Sequence, residues 1–193
     1  ISACLVGSEM CIRDRSLPRM QAELDILAST LATRFDAQGL RLYTDGSGSP
    51  AAPPDVTGPG GYSGAVVGFA SRIAVSLVVS SDMRLLRDGT HPAPATGFVP
   101  NPPGGPSGFT TLLDNLLTYT FGAISGPSGA NHPSSPTTNL GPGNNLASSF
   151  KPPLRLGDHA AAMTGAQAVL ASDATIRLTD ATASRTRIDL LLQ

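Results

Sequence analysis

The last forty residues, Leu154 to Gln193, place apolar or small residues at close to seven-residue spacing. Leu156, Met163 and Leu170 form one series, and Ala160, Ala174, Ala181 and Ile188 form another. That is the stripe a helix lays against a partner helix, so the spacing predicts one long amphipathic helix over 154–193. Helices commonly close with Gly or Asn just past the last periodic residue, or with a Pro shortly after. The run from Arg187 through Ile188, Asp189, Leu190, Leu191 and Leu192 to Gln193 has no such signal. A helix this long with one thin seam needs something to pack on. The chain is therefore expected to belong to a larger object.

The remainder divides into three shorter helical stretches among loops and a short extended run. Met20, Leu24, Leu27, Leu31 and Phe35 fall on one helical face, Pro18 suits a first turn, and Gly39 sits where a closing glycine belongs. A helix over 17–39 is expected. Leu40–Thr44 alternates with period two and runs into Asp45-Gly46, a turn pair. Residues 47–64 are loop. The β-branched run Val66–Val79 predicts a strand or extended segment, followed by Ser81-Asp82 as the cap of a short helix, Met83–Arg87. Residues 92–106 form a second loop. Phe109, Leu112, Leu113, Leu116, Leu117 and Phe121 then share a face, predicting a helix over 107–122 that Gly122 ends. Residues 123–153, with six prolines from Pro127 to Pro153, are expected to be irregular.

Composition narrows the function classes. Charged residues make up 14% of the chain and the formal net charge is −1, which removes any field-level attraction to nucleic acid or an anionic membrane. Aromatic residues are only 5%, so rigid core anchors are scarce. Gly (21) and Pro (17) are frequent enough to demand many turns. No apolar run is long enough to span a bilayer. The first sixteen residues, ISACLVGSEMCIRDRS, resemble a translated sequencing-adapter peptide found fused to the starts of fragmentary gene models. They make a poor signal peptide. Both cysteines, Cys4 and Cys11, lie within them, so cysteine says nothing about redox compartment.

The catalytic inventory is thin. His91, His132 and His159 are the only histidines and none has metal-ligand spacing. His91 and His132 precede prolines and read as solvated loop residues. Asp158, beside His159, reads as first-turn charge facing the helix dipole. No G-x-S-x-G elbow, dinucleotide fingerprint or phosphate loop occurs. The segments Gly105-Pro106-Ser107-Gly108 and Gly126-Pro127-Ser128-Gly129 lack the strand-to-helix context, and Ser107 reads as the cap of the helix after it. Prolines among the glycine clusters remove the N–H donors a phosphate cradle needs. No catalytic, cofactor-binding or metal residues are expected.

Three segments in order carry a resemblance: LPRMQAELDILASTLATRFDAQGLRLYTDGSG (17–48), GFASRIAVSLVVSSDMRLLRDGT (68–90) and GFTTLLDNLLTYTFGA (108–123). With the terminal helix, they resemble the flagellar hook-associated protein family FlgK, the first of the hook–filament junction proteins, in its alphaproteobacterial form. The likeness lies in order, length and local wording, with no single diagnostic motif. It implies an internal-to-late fragment that lacks both terminal polymerisation segments. It also implies a secreted, extracellular subunit of the bacterial flagellum without a cleaved signal peptide. Implied partners are copies of itself, neighbouring hook and filament proteins and an export chaperone, with neither nucleic acid nor membrane.

The expected fold is mainly α with some β (α+β): an antiparallel helical bundle with Gly/Pro-rich loops and a short extended region. It forms a single partial domain over 17–193. Helix 17–39 is expected to pack antiparallel on helix 154–193, with helix 107–122 alongside. The packing residues would be Leu24, Leu27, Leu31, Phe35, Leu113, Leu116, Met163, Leu170, Ala174 and Ile188. The leading expectation is a non-enzymatic junction subunit of the flagellum. The alternative is a secreted adhesin-like or phage-tail-like fibre module that binds through loops 92–106 and 125–153. An esterase-type hydrolase using a serine with His91 or His132 is the remote third.

Overall fold

Helix α1, Leu17–Ala37, forms where Pro18 fits the first turn and the interior lacks glycine and further proline. It was described in a computed structural model covering residues 15–47, 51–58, 60–62 and 64–192; the adapter-like segment 1–16 lies outside these residues except for its last two. Gly39, at φ +95°, closes the helix in the left-handed region. A Cβ there would overlap the Phe98 ring, and so would one on Gly89. Both positions thus require glycine for space as well as for conformation.

Strand β1, Tyr43–Thr44, pairs antiparallel with β2, Ala74–Val75, in the register Tyr43↔Val75 and Thr44↔Ala74. This two-stranded ladder is all that forms from the long extended segment expected over Val66–Val79. The rest of that run is helical: α2 spans Phe69–Arg72 and α3 spans Leu77–Ser81. β propensity loses here to tertiary hydrogen bonds and to the left-handed turn at Gly68 (φ +73°). A third short helix, α4, covers Leu85–Asp88 and stops at Gly89. The helix expected over 107–122 forms only from Thr111, as α5 (Thr111–Asn115), and continues as a π-helical turn over Leu116–Thr120. Ser107 does not cap it; its carbonyl accepts from Arg87 instead. The terminal helix α6, Gly157–Leu191, is 35 residues long, close to the range the spacing predicted.

Three apolar clusters pack on α1: one on the face of Ala22 and Ile26, and two that meet at Tyr43 on the face of Ala28, Ala32 and Phe35. Phe35 joins Leu40, Val79, Ala93, Phe98, Leu112 and Leu116. Ala22 and Ile26 join Val56, Tyr62, Val66 and Leu140, while Ala28 and Ala32 pack on Phe69. Helix α1 is therefore a central spine clad in irregular chain. The fold is α+β, mostly helical with one small sheet, and the expected pairing of α1 with α6 does not occur within it. Residues 168–191 are exposed throughout.

Candidate interaction surface

The cladding of α1 is held by its own polar side chains, which point inward. Asp25 is fully buried. Its carboxylate accepts from the Tyr62 hydroxyl at 2.7 Å, from the Gly68 and Ala70 N–H groups at 2.8 and 2.9 Å, and from Gln21 Nε2 at 3.0 Å. A carboxylate on one helix thus caps the N-terminus of another, α2, where free N–H groups need an acceptor. Burial, then the hydrogen bond from its own hydroxyl to Asp25 and that carboxylate's charge, push the Tyr62 hydroxyl well above its ordinary range.

Four more side chains repeat the device. Ser29 Oγ donates to the Pro54 carbonyl at 2.6 Å and accepts from the Val56 N–H at 3.1 Å. Glu23 Oε1 accepts from the Ser149 N–H at 2.6 Å and from the hydroxyls of Ser149 and Ser148 at 2.7 and 3.2 Å. Arg34 Nη1 donates to the Thr120 and Gly122 carbonyls, each at 3.3 Å, at the end of the π-helical turn. Gln38 Nε2 donates to the Ser125 carbonyl at 3.4 Å. Read in chain order, segment 120–149 passes Arg34, Gln38 and then Glu23. It runs back along α1 from its C-terminal to its N-terminal half, pinned at each stop.

His132, and His91 in part, join this interior, which corrects their reading as solvated loop residues, and His159 lies there as well. His132 is buried, with Nε2 2.6 Å from the Tyr119 carbonyl. His91 is half-buried, with Nδ1 2.9 Å from the Thr90 hydroxyl and Nε2 3.6 Å from Asp36. His159 is buried at the root of α6 and stands edge-on to Phe150 with ring centroids 5.4 Å apart. Burial is the largest influence holding both His132 and His159 below the ordinary imidazole range.

The expected packing residues separate into two groups. Leu31, Phe35 and Leu116 come together in one cluster, where Phe35 also meets Tyr43 and Phe121 edge-on at 5.5 and 5.9 Å. Leu27 and Met163 are half-buried. Leu24, Leu113, Leu170, Ala174 and Ile188 are exposed. The antiparallel seam of Leu24, Leu27 and Leu31 against Met163, Leu170 and Ala174 is absent: the outer face of α1 and nearly all of α6 stay open. The reason is physical. Loop chain anchored on buried polar groups covers the flanks of α1, and His159 is the only buried residue of α6.

No family model, curated protein or solved structure matches this chain.

Two features of the open surface bear on what it does. On α6, Thr164, Thr175, Thr179, Thr182 and Thr186 each donate their hydroxyl to the carbonyl four residues back, at 2.8–3.0 Å. With the hydroxyls so engaged, the threonines present methyl groups, and the helix surface is less polar than its sequence reads. On α1, Leu17, Met20 and Leu24 are exposed at three- and four-residue intervals, the spacing of a helix–helix seam. Among the described residues no group of three or more His, Cys, Asp or Glu is placed to hold a metal ion. Likewise none of the described helices is long and apolar enough to cross a membrane. The sequence pattern missed the inward polar residues Glu23, Asp25, Ser29, Arg34 and Gln38. Their signal was present as polar residues on the same turns as Ala22, Ile26 and Ala28.

Proposed function

We propose that this chain is a non-enzymatic structural subunit that assembles through α6 and the outer face of α1. We propose further that its place of assembly is the junction between flagellar hook and filament. The observation that carries the first part is a helix of 35 residues with one buried residue. At 1.5 Å per residue it extends about 50 Å. An isolated helix in water is marginal, and most helical stability in proteins comes from packing a face. A helix so long and so open is suited to burial against another chain. Its small side chains and threonine methyls allow close backbone approach.

The junction role rests on the sequence resemblance of 17–48, 68–90 and 108–123, and on partners of the kind it implies: copies of the chain and neighbouring hook and filament proteins. Two experiments test the two parts. In sedimentation, the chain is expected to self-associate or to bind hook or filament subunits, whereas a chain ending at Gln167 stays folded and monomeric. Equal behaviour of both, monomeric at every concentration and inert to those subunits, would overturn assembly through α6. Immunogold labelling of isolated flagella from the bacterium carrying the gene is expected to mark the hook–filament junction. Label elsewhere, or none, contradicts the flagellar role.

A further inference from the structure

A cleft of about 190 Å³ lies between the C-terminal half of α1 and the loops at 55–57 and 125–133. Arg34 and Asp55 both line it, with the hydroxyls of Thr30, Thr33, Thr57 and Ser125 and the buried His132 alongside. Opposite charges in one cleft would ordinarily pair. Here they do not: no ion pair within 4.0 Å joins Arg34 to any carboxylate among the described residues.

Each charge is instead held at its own wall. Arg34 is 6% exposed, and its Nη1 is spent on the Thr120 and Gly122 carbonyls. A guanidinium carries five N–H donors, so those two bonds leave other donors uncommitted on a residue that lines the cleft. A buried cation without an anion is costly, and burial pulls the guanidinium down from its ordinary range to about 10. Asp55 is exposed, and its Oδ1 is fixed by the Thr57 N–H at 2.8 Å and hydroxyl at 2.7 Å. That leaves Oδ2 as the uncommitted acceptor of a carboxylate that lines the cleft.

We infer that this cleft is a binding site for a small zwitterion, whose carboxylate meets Arg34 and whose ammonium group meets Asp55. The hydroxyls of Thr33, Thr57 and Ser125 give their hydrogens to the Ser29 and Thr30 carbonyls, Asp55 Oδ1 and the Ala130 carbonyl, so they serve as neutral acceptors along the cleft. The cleft is smaller than drug-sized pockets of roughly 300–1,000 Å³, which restricts the ligand to the size of a simple amino acid. The inference does not depend on assembly through α6, since no α6 residue lines the cleft.

The test is a titration of the full chain at constant ionic strength, followed by amide chemical shifts at Thr57 and Ser125. The probes are glycine, β-alanine and 4-aminobutyrate, with acetate and methylammonium as the single-charge controls. At least one zwitterion of the series is expected to saturate at a concentration tenfold or more below both controls. Asp55→Asn keeps the Thr57 hydrogen bonds at an exposed position, and is expected to reduce that zwitterion to the level of acetate. Arg34→Lys, which keeps the charge, is expected to weaken acetate and zwitterion together. If acetate binds as tightly as every zwitterion, the site is a plain oxyanion site and the inference is wrong. If no probe gives saturable shifts while Arg34→Met still lowers the melting temperature, Arg34 only caps the helix end, and the inference is equally wrong.

Discussion

Helices α1 and α6 are the two long helices among the described residues, and they are stabilised in opposite ways. Of the 21 residues of α1, ten are buried, and Glu23, Asp25, Ser29, Thr30 and Arg34 are among them. Of the 35 residues of α6, one is buried. The first helix organises chain that has too few apolar residues to organise itself. Loops rich in Gly and Pro offer little surface to bury, so their backbone N–H and C=O groups become the points of attachment. The second helix organises nothing in its own chain and leaves its length open. Polar residues in a helix thus mean different things in the two places: inward anchors in α1, a surface that closes its own hydroxyls in α6.

The largest effect that separates the two helices should come from Asp25. Asp25→Ala strands a tyrosine hydroxyl and two backbone N–H groups, at about 1–3 kcal/mol for each buried group left unpaired. The variant is expected to be largely unfolded at 37 °C by circular dichroism, and a melt matching the parent would break the anchor account. Ile26→Ala comes next, with an expected loss of about 2–5 kcal/mol in urea unfolding, because Ile26 is 1% exposed in the cluster with Val56 and Leu140.

Acid should act on the anchored body with a smaller effect. His132 and His159 bind protons less readily folded than unfolded. The unfolded chain therefore holds more protons below about pH 6.5, the ordinary imidazole value, and stability rises with pH. The histidine contribution is complete above that value and is lost as the pH falls through it. A melting temperature lower by a few degrees at pH 5 than at pH 7 is expected. His159→Phe, which keeps an aromatic ring against Phe150, should flatten part of that slope. A melting temperature independent of pH across this range would contradict the burial of both rings.

The smallest effects belong to α6. Leu170→Ala and Ile188→Ala should change the stability of the dilute chain by no more than about 0.5 kcal/mol, as exposed positions do. A loss comparable to that of Ile26→Ala would mean that α6 packs on the body after all.

The two helices were legible in the sequence, the contrast between them was not, and the reason is physical. Helical periodicity located α1 and α6 to within a few residues because neither has a proline past its first turn, and α6 carries Gly165 as its one interior glycine. Gly39 was readable as a closure, although its close approach to Phe98 was not. Pairing of α1 with α6 was the natural inference from two apolar stripes, but Leu24 faces solvent and Leu170 lies on the projecting arm. Periodicity ranks faces by hydrophobicity and has no way to score Asp25 or Glu23 as core. Those residues are buried because loops at 54–70 and 120–149 bring donors to them, and such long-range partners leave no local pattern. For the same reason Val66–Val79 read as extended chain: Asp25, some forty residues upstream, fixes its helical turn.

Amide hydrogen exchange on the full chain, followed residue by residue at two protein concentrations, tests the contrast most directly. Amides of α1 are expected to exchange only through global unfolding, at the same slow rate in dilute and concentrated solution. Amides of residues 168–191 should exchange far faster when dilute and gain protection as concentration rises or hook and filament subunits are added. Protection of 168–191 equal to that of α1 in dilute solution would contradict the account.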